Sequence, residues 1–170
     1  MAAYLQQRGF EPVFLPQTYN PKWGVNLNLP RDIPVLWLGK IATARRQRLL
    51  NRVRADLKLR GVELLVIDGV EHPFVFDQAR TELLNRTKVV INLWREKWDN
   101  TSLRYVLAAH NHALIVTEPT LPHSSFVPGL HLIESPITQM AETICYYLTH
   151  EPERRQITMQ AEQMLRANAA

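Results

Sequence analysis

Two stretches of the 170-residue sequence gather residue types that suit an anion. The first is Gly39-Lys40 followed by Arg45-Arg46. A glycine lets a ligand approach the backbone, and the cations can neutralise a diphosphate. The second is the run WREKWDNTS, Trp94 to Ser102, with Arg104 just beyond it. Asp99 or Asn100 suits a helix N-cap, and Thr101 and Ser102 place hydroxyls beside the unpaired amides of a first turn. Such a helix start holds phosphate through its N–H groups and dipole, and Arg104 adds charge-assisted bonds. Each pattern also reads as plain capping and a solvated helix start, and the residues alone leave both readings open. Trp94 and Trp98 flank the same loop, placed either to stack on a base or sugar ring or to close against the core.

Other chemistries find little support. The six histidines include His110 and His112, two apart and on different faces near a helix end, and no H-x₃-H spacing occurs, so no metal is called for. Ser124 and Ser125 lack a G-x-S-x-G context. Neither G-x-G-x-x-G nor a P-loop is present. One cysteine, Cys145, excludes a disulfide framework and a cysteine-built zinc site. No apolar run is long enough for a membrane span, and Met1–Gly9 is too short and polar for a signal peptide. The expected compartment is the cytoplasm, and no cofactor is expected.

The net charge of +4 is unevenly spread. Residues 43–60 hold Arg45, Arg46, Arg48, Arg52, Arg54, Lys58 and Arg60 against the lone Asp56. This reads as a helix with Leu49, Leu50, Val53 and Leu57 inward and its cations in solvent. It carries no interleaved aromatics and no nucleic-acid motif, so DNA is not an expected partner.

The elements that must position these residues follow from apolar periodicity. Candidate strands are Glu11–Leu15, Pro34–Leu38 (PVLWL), Val62–Ile67 (VELLVI), Lys88–Leu93 (KVVINL), Ala113–Thr117 (ALIVT) and Leu130–Ile133. Between them lie a loop over 18–31 and helices at 43–60, Val75–Asn85 (with Phe76, Ala79, Leu83 and Leu84 inward) and Thr101–His110. A further helix runs from a Ser135 cap to Thr149, and a terminal helix occupies 151–170. Short apolar strands alternating with helices imply one α/β domain over 1–170, a Rossmann-like three-layer fold with a mainly parallel sheet of five to six strands. Ligands of such sheets sit at the strand carboxyl ends near the topological switch point. Both anion-suited stretches lie there, as does Glu118.

The order and spacing of these segments resemble the C-terminal nucleotide-binding domain of GT-B glycosyltransferases. The nearest likeness is to the CgeB-like, group 1 type, over about Phe10–Ala167. DIPVLWLGKIATARRQRLL is similar to the family's first strand, glycine and Arg-Arg helix start. KVVINL with TSLRYVLAAHNHALIVTEP resembles its alanine-rich helix, strand and acidic residue, and PGLHLIESPITQMAETICYYLTHEPERRQI its closing strand and helices. The resemblance implies a lobe that binds a nucleoside diphosphate sugar and works with an N-terminal acceptor lobe or partner subunit, transferring the sugar to an acceptor. It implies donor or phosphate contacts from Gly39, Lys40, Arg45 or Arg46, Thr101, Ser102 and Arg104. A Glu that family members carry in the alanine-rich helix, binding the ribose or sugar, falls on Leu107 here, and the following small-residue turn falls on His110-Asn111-His112. Asp99 falls on the partner acid, and Asp99 or Glu118 is the available substitute. The alternative is a non-catalytic binding domain on the same fold.

Overall fold

The computed structural model describes residues 2–13, 15–96, 99, 103–119 and 125–169. The elements run α1 (Ala2–Gln6), β1 (Ile33–Leu38), α2 (Ala44–Lys58), β2 (Leu64–Ile67), α3 (Asp77–Arg86) and β3 (Thr87–Asn92). They continue with α4 (Leu103–His110), β4 (Leu114–Thr117), β5 (Ile133–Glu134), α5 (Met140–Thr149) and α6 (Glu151–Ala167). The five strands form one sheet in the order β2-β1-β3-β4-β5, and every pair is parallel. The chain leaves β1 toward β2 and returns on the other side as β3. The switch point therefore lies between the carboxyl ends of β1 and β3.

The strands are apolar on both faces because helices cover both. Val35 and Trp37 of β1 face a core with Leu50, Val53 and Leu57 of α2 and Met140 and Ile144 of α5. Leu36 and Leu38 face the opposite core, with Leu84, Tyr105, Ala108 and Leu165. The last helix serves both layers: Ile157 packs in the first and Ala161 and Leu165 in the second.

Several elements depart from the sequence reading. Glu11–Leu15 forms no strand among its described residues. Its Val13 and Leu15 are 81% and 78% exposed, an apolar pattern with no sheet edge to pair with. The helix expected from Val75 begins at Asp77, leaving Phe76 outside and exposed, and Ala79 also faces solvent. Ser135 caps nothing: it is buried, and its hydroxyl lies 2.9 Å from Thr143 Oγ1 inside α5, which starts only at Met140. On α2, Arg46 joins the buried stripe instead of the solvated one. The fifth strand is Ile133–Glu134, extended backward by a Pro128–Leu132 bridge.

Residues 18–31 hold a 3-10 turn at Pro21–Trp23 and are fastened to α3 and α4 by side chains. Asn20 N–H donates to His110 Nε2 at 2.9 Å, and Tyr19 stacks on the same ring at 4.5 Å between centroids. With Nε2 accepting, Nδ1 carries the proton and donates to Val106 C=O at 2.7 Å. This neutral imidazole is fully buried, and burial holds its pKa below the ordinary histidine value, against a smaller opposing pull from Glu162. The unfolded chain then binds the proton more readily than the folded one. Stability is complete above about pH 6.5 and declines as the pH falls through that value, by at most about 1.4 kcal/mol per pH unit for one proton. His131 is shifted downward by burial too and adds in the same direction. Urea midpoints should be lower at pH 5.5 than at pH 7.5, with a smaller difference in His110→Gln. An equal difference in that variant would assign the effect elsewhere.

Candidate functional site

The mouth between β1 and β3 is built around Arg104. From the second turn-facing position of α4 its Nε donates to Leu38 C=O at the end of β1, at 2.6 Å. Its Nη1 donates to Asn92 Oδ1 at the end of β3, at 2.7 Å. The guanidinium stacks over the Trp37 ring, 4.3 Å from its centroid. One side chain thus spans the switch point. Burial, and then the neighbouring Arg46, lowers its pKa to about 10, which leaves it a cation at neutral pH. Its remaining nitrogen, Nη2, faces Gly39. A Cβ built on Gly39 would lie 3.2 Å from it, and Gly39 has φ 113°, in the region that favours glycine. Glycine at this strand end keeps open the space in front of the guanidinium.

Asn92 is a buried polar residue closing an apolar strand. Besides accepting from Arg104, it donates to Thr117 Oγ1 at 3.1 Å, and the Tyr105 hydroxyl lies 3.0 Å from the same oxygen. Burial pushes the Tyr105 phenol well above its ordinary range, so it is a neutral hydrogen-bonding group, not a base. Asn92, Trp37 and Tyr105 were not singled out as site residues in the sequence. The signal available for Asn92 was a polar side chain ending the run KVVIN.

The other expected residues divide into groups. Lys40 is exposed beside Gly39 and makes no ion pair among the described residues. Arg45 is engaged: Nη2 and Nη1 fork onto Glu118 at 2.6 and 3.1 Å, and Nη1 also donates to Trp94 C=O. Glu118 is buried and accepts in addition from Trp94 N–H at 2.9 Å. Arg45 and Glu118 therefore neutralise each other at the rim. Arg46 does not face the mouth as the sequence suggested. It is 5% exposed and donates to the carbonyls of Leu93, Lys40 and Ile41, with Asp99 3.8 Å away. Its role is to fix the Gly39–Ile41 turn. Asp99 accepts from Arg95 Nε at 3.1 Å. Asn100, Thr101, Ser102 and Trp98 lie outside the described residues. Trp94 is 4% exposed and packs edge-on against Tyr105, so of its two expected places it takes the one in the core. Leu107 is buried in the same core as Tyr105.

The rest of the basic helix stays clear of the mouth. Arg52 lies 3.8 Å from Asp56, and Arg54 pairs with Glu71 at 2.8 Å. Arg52 is eight residues along α2 from its start, about 12 Å of rise, which exceeds a physiological Debye length. Changing Arg52, Arg54 and Lys58 together to Gln should leave nucleotide affinity within about threefold, below 1 kcal/mol, in a calorimetric titration. A tenfold loss would mean the whole face binds a polyanion.

No helix of the structure is long and apolar enough to cross a membrane. No curated protein matches the sequence. Among solved structures, the chain is similar to TarM of S. aureus, determined with Fondaparinux, alpha-GlcNAc-glycerol and UDP: TM-score 0.63–0.64 and 10–12% identity in two structures. It is also similar to the C-terminal domain of the group 1 glycosyl transferase LpcC from Francisella tularensis (TM-score 0.59, 11% identity, 91% of this chain and 96% of that one). A third is the pneumococcal O-GlcNAc transferase GtfA, solved with UDP and GlcNAc (TM-score 0.63, 8% identity, 98% of this chain and 40% of that one). The match covers 94% of this chain but only 35% or 37% of TarM in its two structures. These likenesses establish the fold. The sequence profile of the glycosyl transferase-like family matches residues 45–169, from the start of the basic helix to the end of the last one. With that match over most of its length, laid on a parallel sheet whose switch point opens beside a glycine and an arginine, the chain belongs to the glycosyl transferase-like family.

Proposed function

We propose that the chain is the donor lobe of a glycosyltransferase, holding a nucleoside diphosphate sugar at the mouth between β1 and β3. The observation that carries the reading is Arg104 fixed across the switch point with Nη2 toward Gly39. The diphosphate would lie over Gly39, flanked by Arg104 and the mobile charge of Lys40. Arg45 would contribute when Glu118 releases it, and the α4 end at Asn100, Thr101 and Ser102 would add donors. In transfer, the acceptor oxygen forms a bond to the anomeric carbon. The bond from that carbon to the diphosphate oxygen breaks with its electron pair, and the acceptor gives up a proton. Charge builds on the leaving diphosphate, where pre-oriented cations lower the barrier. TarM and GtfA, of similar fold, were each solved with UDP, and this supports a nucleotide ligand. The acceptor would be held by a second lobe or a partner subunit. The residue pattern favours the CgeB-like branch and a cytoplasmic setting. Leu107 takes no part in ribose binding, so that contact falls to Asp99 or Glu118.

The lobe alone should bind weakly, on the order of 0.1–1 mM, or about −5 kcal/mol. UDP, GDP and ADP titrated against amide NMR spectra should shift residues 39–46 and 99–104. Millimolar nucleotide without shifts there would leave the non-catalytic binding domain as the better reading, which Leu107 already favours.

A further inference from the structure

At the opposite edge of the sheet, a cleft of about 610 Å³ lies between the 18–31 segment and the start of α6. Arg31, which precedes β1, Lys88 at the start of β3 and His112 before β4 all line it. It is separated from the β1–β3 mouth by the length of the strands, about 15–20 Å for five or six residues. We propose that this cleft is a second anion site, which takes a phosphomonoester of sugar or polyol size.

The argument rests on cations without counter-ions. The lining includes Arg31, Lys88, Arg154 and Arg155, and a single carboxylate, Glu151. Glu151 is committed to Arg155 at 3.1 Å. Arg31 gives its N–H groups to carbonyls alone: Leu84 at 3.2 Å, Asn111 at 2.8 Å, and Thr87. Arg154 is 3% exposed and donates from Nη1 to Tyr147 C=O at 2.8 Å. No carboxylate among the described residues pairs with either guanidinium, and Lys88 has no ion pair among them. Buried charges are ordinarily paired, because an unpaired one forfeits its hydration without return. A guanidinium has five N–H donors in a fixed fork. Carbonyls take part of each fork here, and Arg80 Nε is the one buried, unpartnered side-chain nitrogen among the described residues. The unused donors of Arg31 and Arg154 are therefore open to the cleft that both line. Arg154 and Arg155 also depress the Arg31 pKa, after burial itself, so like charges converge on this space. A dianion would relieve that repulsion and occupy the open forks, as guanidinium favours phosphate. The remaining walls carry Asn26, Asn28 and Thr158, whose polar groups suit ligand hydroxyls, and the volume is within the usual range for small-molecule sites.

The phosphate group could arrive as free inorganic phosphate or on an ester, and the two are separated by titrating inorganic phosphate and glucose 6-phosphate into the whole chain at physiological salt. Saturable NMR shifts at Arg31, Lys88, His112 and Arg154 are expected in both arms. A tighter ester arm means that the Asn and Thr walls contact the rest of the ligand, and equal arms mean that phosphate alone is read. Lys88→Glu should weaken binding tenfold or more while leaving the thermal melt and the UDP shifts at 39–46 in place. Arg31 and Arg154 are unsuitable to vary, since they hold carbonyls of the fold. Shifts that fail to saturate by about 20 mM, or equal affinity in Lys88→Glu, would overturn the site whatever UDP does at the other edge.

Discussion

Arg104→Ala should lower UDP affinity at least tenfold, about 1.4 kcal/mol, and Arg104→Lys should recover only part of the loss. The guanidinium carries a positive charge into the mouth, and it fixes the distance between the two strands that form it. Its Nε and Nη1 are taken by Leu38 C=O and Asn92 Oδ1, so it meets a ligand from a held position and gives up little side-chain freedom on binding. A lysine keeps the charge but is a point donor and cannot hold both acceptors in one plane. The alanine variant also leaves the Asn92 and Leu38 oxygens short of a donor and a gap over Trp37. It should lose about 2–4 kcal/mol of stability as well. Calorimetric titration at a temperature where the variant is folded, checked by circular dichroism, separates the two effects. Folded Arg104→Ala that binds UDP as the parent does would remove Arg104 from the donor site.

The fate of the expected anion-binding residues shows what a sequence can and cannot specify. Glycine at the end of a buried strand and an arginine one turn into a helix are local signals, and both came to the same mouth. Apolar runs of four to six residues sufficed for the parallel sheet, since covering both faces demands them. What remained hidden was pairing across the chain. Arg45 and Glu118 lie far apart in sequence, and their fork is set by how β4 ends against α2. Arg46 is adjacent to Arg45 yet points inward, because at that step of the helix the neighbouring carbonyls of Leu93, Lys40 and Ile41 converge. A run of basic residues cannot tell which member is structural. The same limit applied to Glu11–Leu15, where alternation is present and a neighbouring strand is not.

The amide pair Asn85–Asn111 was equally invisible, and its loss should have the larger effect on stability. Asn111 Nδ2 donates to Leu107 C=O at 2.7 Å and Trp23 C=O at 3.3 Å, and its Oδ1 accepts from Asn85 Nδ2 at 2.9 Å. Asn85 donates further to the carbonyls of Val25 and Thr81, and its Oδ1 accepts from Leu27 N–H at 2.6 Å. Both side chains are fully buried. Asn111→Ala removes three bonds and strands two buried carbonyls and part of one amide, each costing about 1–3 kcal/mol if no water replaces the donor. A loss of about 3 kcal/mol overall is expected, or roughly 6–12 °C in melting temperature for a chain of this size. Because the pair fastens residues 18–31 to α3 and α4, the Leu27 amide should lose hydrogen-exchange protection ahead of the sheet amides. Gly24→Ala should act in the same direction by another route. A Cβ there would fall 2.3 Å from Asn111 Nδ2, and Gly24 has φ 127°, which strains any other residue. An Asn111→Ala protein that melts within about 1 kcal/mol of the parent, with Leu27 still protected, would show that the segment is held by Tyr19, His110 and Arg31 instead.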